Sequence, residues 1–203
     1  MNNPTIRTLV GATAPTTVEA KNTALLVIDF QNEYFNGKMP IPDGLKALNN
    51  AKRLVAFADK ANMQVIHVQH VTPAGAPIFA EDGETVKFHS DLQPAANHKV
   101  QQKGDVSVFV NTDIDAKLKA DGIKTLIISG LMTHACVAGA ARDGAAKGYE
   151  VIVADDACAT RDLDLASGGV VPHAALHSAS LAGIADTFGD IMSTEQVLNL
   201  KLA

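Results

Sequence analysis

Short apolar runs, hardly broken by polar residues, alternate along this chain with segments of helical periodicity. They are Ala24-Leu25-Leu26-Val27-Ile28, Gln64-Val65-Ile66-His67-Val68, Thr125-Leu126-Ile127-Ile128-Ser129 and Glu150-Val151-Ile152-Val153-Ala154. A strand with one wet face alternates apolar and polar residues, whereas a strand covered on both faces reads as a continuous apolar run. The pattern therefore predicts an α/β fold in which helices cover both faces of a doubly wound, mostly parallel sheet. His98 to Gln102 is a weaker third strand and 189–192 a short last one, giving about six strands. Leu45, Leu48, Ala51, Val55 and Ala58 recur at helical spacing after the first strand, and a further helix is expected near 172–187. Asn111 or Thr112 is expected to cap a short helix that stops at Gly122, and Ser193 with Gln196 reads as a capping box.

The chain of 203 residues suits one domain, expected over 23–203, preceded by an arm at 1–22 rich in Thr, Asn, Ala and Pro that wraps the surface or a neighbouring subunit. A formal charge of −5 without any block of like charge argues against a nucleic-acid partner. No apolar stretch reaches the roughly 20 residues a bilayer requires, so no membrane partner is expected. Two cysteines make no disulfide framework, which points to a reducing compartment and a cytoplasmic location. The longest irregular stretch, 71–98, has the length of a functional lid or specificity loop.

Ligands of an open parallel sheet bind at the carboxyl ends of the strands, where the strand order reverses. Asp29 follows the first strand, Lys103 the third and Cys136 the fourth, so the fold would bring these distant residues to one pocket. Cys136 opens a small-residue helix, where unpaired N–H groups and the helix dipole favour thiolate over thiol. Asp29 is suited to take the thiol proton and Lys103 to hold both charges and lower the thiol pKa. The backbone N–H groups of Met132 and Cys136 are candidates for an oxyanion hole. Gln31, Phe35, His70 and His134 are weaker candidates for the substrate-binding wall. No Gly-x-Gly-x-x-Gly run follows the first strand, which disfavours a nucleotide-binding protein.

Asp29-Phe30-Gln31-Asn32, Lys103 six residues before Phe109, and Gly130-Leu131-Met132-Thr133-His134-Ala135-Cys136-Val137 together resemble the isochorismatase-like cysteine hydrolase superfamily. Asp155-Asp156-Ala157-Cys158-Ala159-Thr160 and the His177 helix fit the same pattern, and the likeness runs from about residue 22 to the end. The resemblance implies a three-layer α/β/α fold, an Asp29–Lys103–Cys136 triad and a cis peptide at Leu131–Met132 that aims the Met132 amide at an oxyanion. It further implies a homodimer or homotetramer in which a neighbour closes the site. The expected activity is hydrolysis of a C–N amide bond in a small molecule through a thioester. The alternatives are vinyl-ether hydrolysis, as in isochorismatase, and a non-catalytic binding member of the fold.

No cofactor and no metal are expected. Superfamily members that hydrolyse nicotinamide carry an Asp-x-His run and a further His, whereas this chain has His67-Val68-Gln69-His70. Residues three apart on a strand face opposite sides and cannot chelate one ion. His89 and His98 have no carboxylate at ligand spacing, and His173 with His177 reads as a pair for packing or subunit contact. Cys158 reads as structural.

Overall fold

The computed structural model describes residues 3–203. The arm contains a short helix, α1 (Ile6–Leu9), and a short strand, β1 (Thr17–Val18). Then follow β2 (Thr23–Ile28), α2 (Gly44–Lys60), β3 (Gln64–His70), β4 (Lys99–Lys103), α3 (Ile114–Ala120) and β5 (Thr125–Leu131). A π-helical turn (Thr133–Val137) leads into α4 (Ala138–Ala146) and then β6 (Glu150–Ala159). A small hairpin of β7 (Leu163–Asp164) and β8 (Val170–Val171) precedes α5 (His173–Thr187), β9 (Asp190–Met192), α6 (Thr194–Leu198) and β10 (Lys201–Leu202). The central sheet has the order β4-β3-β2-β5-β6-β9, and every neighbouring pair in it is parallel. The strand sequence reverses direction at β2, so the ends of β2 and β5 flank the switch point.

Burial on both faces explains the apolar runs. Along β2, Leu25 and Val27 pack into one core with α2 and α6, while Ala24, Leu26 and Ile28 pack into the other with α3, α4 and α5. Ile127 and Ile152 join the first core, and Leu126, Ile128, Val151 and Val153 join the second. No helix among the described residues is long and apolar enough to cross a membrane.

Some local expectations need correction. The buried stripe of α2 is Ala47, Leu48, Ala51, Leu54 and Ala58, and Leu45 lies off it at 58% exposure. Asp113 is the N-cap position of α3, but its side chain makes no capping hydrogen bond. The Thr112 hydroxyl accepts from the Ile114 amide (3.4 Å) while donating to the Val108 carbonyl, and the Asn111 amide bonds Asp105 instead. β6 continues through Asp155-Asp156 to Ala159 by bulging opposite Ser129, between the pairs Ile128↔Val153 and Gly130↔Cys158. The bulge lets Asp156 accept from the Thr194 amide (2.7 Å) and hydroxyl (2.6 Å), which offsets the cost of carrying a carboxylate at the strand. The arm lies on its own chain: the Ile6 amide bonds Asp186 (2.9 Å), Arg7 pairs with Asp190 (2.6 Å), and β1 pairs with β10. The Ser193–Gln196 capping box is formed.

Gly130 shows how tightly the site end of the sheet is built. A Cβ there would lie 2.6 Å from both the Cβ and the carbonyl oxygen of Ile28. Gly130→Ala is expected to cost about 3 kcal/mol or more, because the obstacle is strand backbone with no freedom to give way. Urea unfolding measures this, and a loss within about 0.5 kcal/mol would contradict the close packing.

Candidate active site

The chain leaves β2 through Asp29, whose backbone adopts the left-handed conformation (φ 55°) that Asp tolerates better than most residues. Its N–H donates to the Val68 carbonyl (3.0 Å) and its own carbonyl accepts from Gln31 (2.8 Å), fixing the turn. Lys103 is the last residue of β4, opposite His70 at the end of β3. Cys136 sits in the turn after β5. There the Met132 carbonyl accepts from the Ala135 and Val137 amides (3.1 and 3.3 Å) and skips that of Cys136. The Leu131–Met132 peptide is cis.

These ends converge. The Lys103 ammonium lies 2.8 Å from Asp29 Oδ2, 2.9 Å from His70 Nδ1, 3.2 Å from the Asp105 carbonyl and 3.4 Å from Cys136 Sγ. Asp29, Lys103 and Cys136 are 0%, 3% and 5% exposed. The Asp29–Lys103 contact is a fully buried ion pair. A buried carboxylate beside a thiol is placed to accept its proton.

Electrostatics modify the expectation for the thiol. Burial, then the Asp29 charge, push Cys136 up to about 12, and the Lys103 charge pulls back only in part. Burial thus works against the thiolate that the helix start favours, so ionisation of Cys136 is opposed by removal from water. Burial opposes the Lys103 charge, yet Asp29 and then Cys136 outweigh it and hold the ammonium above its ordinary value. His70 is depressed by burial and then by Lys103, so its Nδ1 is free to accept from the ammonium.

Gln31 is bound by its side-chain amide to the end of β3. It is fully buried, and its amide donates to the His70 and Val86 carbonyls (2.8 and 2.6 Å) and accepts from the His70 amide (2.8 Å). It thereby clamps the end of β3 to the 71–98 segment, whose strand-like part bridges Phe88 to Gln31. Phe35 packs against His89, with ring centroids 4.4 Å apart and planes inclined at 57°. His134 is held by Thr160, with Nδ1 and Oγ1 2.6 Å apart.

Three residues at the site escaped the sequence reading. Tyr34 is buried, and its hydroxyl is raised well above the usual phenol range by desolvation and then by the charges of Asp29 and Cys136. Phe79 packs its ring 5.3 Å from Tyr34 and 5.0 Å from His70, from a left-handed backbone (φ 53°) within the 71–98 segment. Arg161 follows Thr160 directly, and its charge acts on Tyr34 and His134. Tyr34 lies two residues beyond the Asp29-Phe30-Gln31-Asn32 run, so its position beside that motif was a usable signal. The other two carried none.

Donor atoms of Asp29, His70 and Cys136 lie within 4.8 Å of one another, close enough to ligate one cation. The Lys103 ammonium already contacts all three and supplies the positive charge there, so a metal would have to displace it. A separate cavity of about 250 Å³ lies between α2 and α5, lined by Cys158, His173 and His177 among others, and Cys136 does not line it. Cys158 is buried and pushed up to about 12 chiefly by desolvation, as befits a packing residue. His177 Nδ1 lies 2.8 Å from the Thr133 hydroxyl, and His173 pairs with Asp162 (2.7 Å).

His67 and His98 form a separate polar pair, and His98 does have a carboxylate partner, Asp59 from α2 (2.9 Å). The Ala95 amide donates to His98 Nδ1 (3.0 Å), so His98 carries its proton on Nε2 and His67 donates to the same Nδ1 (3.1 Å). Burial, then the His98 charge, lower His67 to about 4. A folded value below the unfolded one, about 6.5, means that the unfolded chain takes the proton first as pH falls. This contribution is full above pH 6.5 and is lost toward pH 4, by roughly 3 kcal/mol. Urea unfolding at pH 7 and 4.5 should show the loss, and His67→Gln should flatten it. An unchanged pH slope in that variant would sink the assignment.

Residues 23–196 match the isochorismatase domain family. The chain is 36% identical over 178 residues to an isochorismatase family protein, YddQ, of Bacillus subtilis, covering 87% of this chain and 98% of that one. It is 34% identical over 191 residues to the secreted isochorismatase effector Isc1 of Verticillium dahliae, covering 94% and 97%. More distant relatives include a ureidoacrylate amidohydrolase of Acinetobacter baylyi, 27% identical over 88% of this chain and 83% of that one. The crystal structure of an isochorismatase from Pseudomonas putida superposes with a TM-score of 0.88 at 31% identity, covering 96% of this chain and 98% of that one. With the parallel sheet, the shared domain and the Asp, Lys and Cys drawn together at its switch point, the chain belongs to the isochorismatase-like hydrolase family.

Proposed function

We propose that the protein is a cysteine hydrolase that cleaves the C–N bond of a small-molecule amide through a thioester. The observation that carries this reading is the buried Cys136 thiol 3.4 Å from the Lys103 ammonium, which itself lies 2.8 Å from the Asp29 carboxylate. A vinyl-ether hydrolysis needs an acid but no nucleophilic sulfur, so it leaves this thiol without a task. The amidohydrolases among the relatives support the choice of bond.

Cys136 Sγ attacks the amide carbon as its proton passes to Asp29. The Met132 and Cys136 N–H groups receive the oxyanion. The tetrahedral intermediate collapses, the C–N bond breaks, and the leaving amine takes the proton from Asp29. Water then gives a proton to Asp29 and attacks the thioester. The C–S bond breaks, and Cys136 recovers its proton as the carboxylic acid leaves. Lys103 remains protonated throughout, compensating Asp29 when it is ionised and the sulfur when it is charged.

A panel of small primary amides tests the reading by ammonia release, with isochorismate as the comparison substrate. Ammonia with one equivalent of the matching acid is the expected result. Turnover of isochorismate with no ammonia from any amide would overturn it.

A further inference from the structure

We propose that His70 is a positioning residue for the triad, taking one of the three Lys103 ammonium protons on its Nδ1 so that another stays directed at Cys136 Sγ. The inference rests on the hydrolase reading above for its place in turnover, and adds to it the residue that aims the cation.

His70 is held from several sides before its ring meets Lys103. It is the last residue of β3, in register with Lys103 at the end of β4. Its N–H donates to Gln31 Oε1 and its carbonyl accepts from Gln31 Nε2, both at 2.8 Å, and Gln31 is fully buried. One side-chain amide therefore holds both backbone groups of this residue. The ring lies against Phe79, with centroids 5.0 Å apart and planes inclined at 54°, and Phe79 lies in turn against Tyr34. Strand, clamp and ring contact together place Nδ1 2.9 Å from Lys103 Nζ.

The chemistry of that contact leaves one assignment. An ammonium has three donors and no lone pair, so Nδ1 is the acceptor and the neutral ring keeps its proton on Nε2. Burial and then the Lys103 charge both disfavour protonation of His70, in agreement with an acceptor. Three N–H bonds must then serve four neighbours. These are Asp29 Oδ2 at 2.8 Å, His70 Nδ1 at 2.9 Å, the Asp105 carbonyl at 3.2 Å and Cys136 Sγ at 3.4 Å.

The two short contacts orient two of the protons, and the tetrahedral ammonium then fixes the third. That third proton lies between a carbonyl and a sulfur, both at longer range. Charge arriving on sulfur draws it over, because a hydrogen bond to an ionised acceptor is shorter and stronger. An ammonium held by Asp29 alone is a point charge with rotatable donors, and nothing would keep one of them on the sulfur. The acceptor at Nδ1 supplies the missing direction.

Nitrogen-15 spectra of the histidine rings read the assignment in the wild-type protein. The His70 signals, identified among seven histidines by their loss in His70→Asn, are expected to show Nδ1 unprotonated and Nε2 protonated at neutral pH. A protonated Nδ1 overturns the proposal. Alkylation of Cys136 by iodoacetamide reads the consequence without a substrate: sulfur bonds carbon, iodide leaves, and the thiol proton passes to Asp29. His70→Leu is expected to lower the rate constant on the Cys136 peptide about tenfold or more. His70→Asn, whose amide oxygen takes the place of Nδ1, is expected to recover most of that loss. With an amide substrate the same pattern is expected in kcat, with KM kept within about twofold, since Lys103 meets a charged sulfur only during the reaction. A wild-type rate in His70→Leu, or equal losses in His70→Leu and His70→Asn, overturns the positioning role and leaves the hydrolase reading intact. A protein that shows the alkylation pattern and turns over no amide keeps this assignment and loses the hydrolase reading.

Discussion

Cys136→Ala is expected to remain folded and to lose on the order of 10⁴-fold or more in kcat/KM toward its amide, the loss seen when a covalent nucleophile is removed from a preorganised site. Cys136→Ser should recover little of this. Burial already pushes the thiol up to about 12, and an alcohol starts several units higher with the same carboxylate as its only base. Cys158→Ala provides the contrast, because Cys158 is buried in the β6 core without an activating partner. It should lose about 1–2 kcal/mol of stability and keep its activity. Steady-state kinetics with circular dichroism separates the three. Equal losses in Cys136→Ala and Cys158→Ala would mean that the effect is one of folding.

Asp29→Asn should be damaging in two ways at once. It removes the base, and it leaves the Lys103 ammonium buried with no compensating charge, which costs about 3–5 kcal/mol. Lys103→Met strands the Asp29 carboxylate and should cost a similar amount. The double variant should be much less destabilised than the sum of the two, because no unpaired charge remains. The pH dependence has a definite sign. Lys103 is held above its ordinary value in the folded state, so its contribution is full below about pH 10.4 and is lost only as pH rises through the higher folded value. Urea unfolding of the four proteins gives the coupling, and strict additivity would mean that Asp29 and Lys103 do not compensate each other.

The doubly wound sheet was legible because strands covered on both faces have no polar side to hide. Leu25 and Leu26 face different cores and are both apolar for that reason. Asp29 and Cys136 stood out because each follows such a strand. Lys103 stands at the end of a strand whose residues are mostly exposed, where periodicity says little, so its placement rested on the weakest of the strand assignments and on the family resemblance. β6 was read too short because Asp155-Asp156 interrupts the apolar run, and only the folded chain supplies Thr194 to satisfy Asp156. Phe79 and Arg161 were not readable at all, since their importance comes from what other segments place beside them. The thiol was misjudged for a related reason: a helix start is visible in sequence, whereas the depth of burial that outweighs it is not.

The most direct test of the central claim is to stop a reaction in turnover with acid and weigh the Cys136 peptide. The account predicts an added mass equal to the substrate less its leaving amine, present in the wild-type protein and absent from Cys136→Ala, together with loss of product in that variant. Product formed by Cys136→Ala at the wild-type rate, with no adduct on the wild-type peptide, would contradict it.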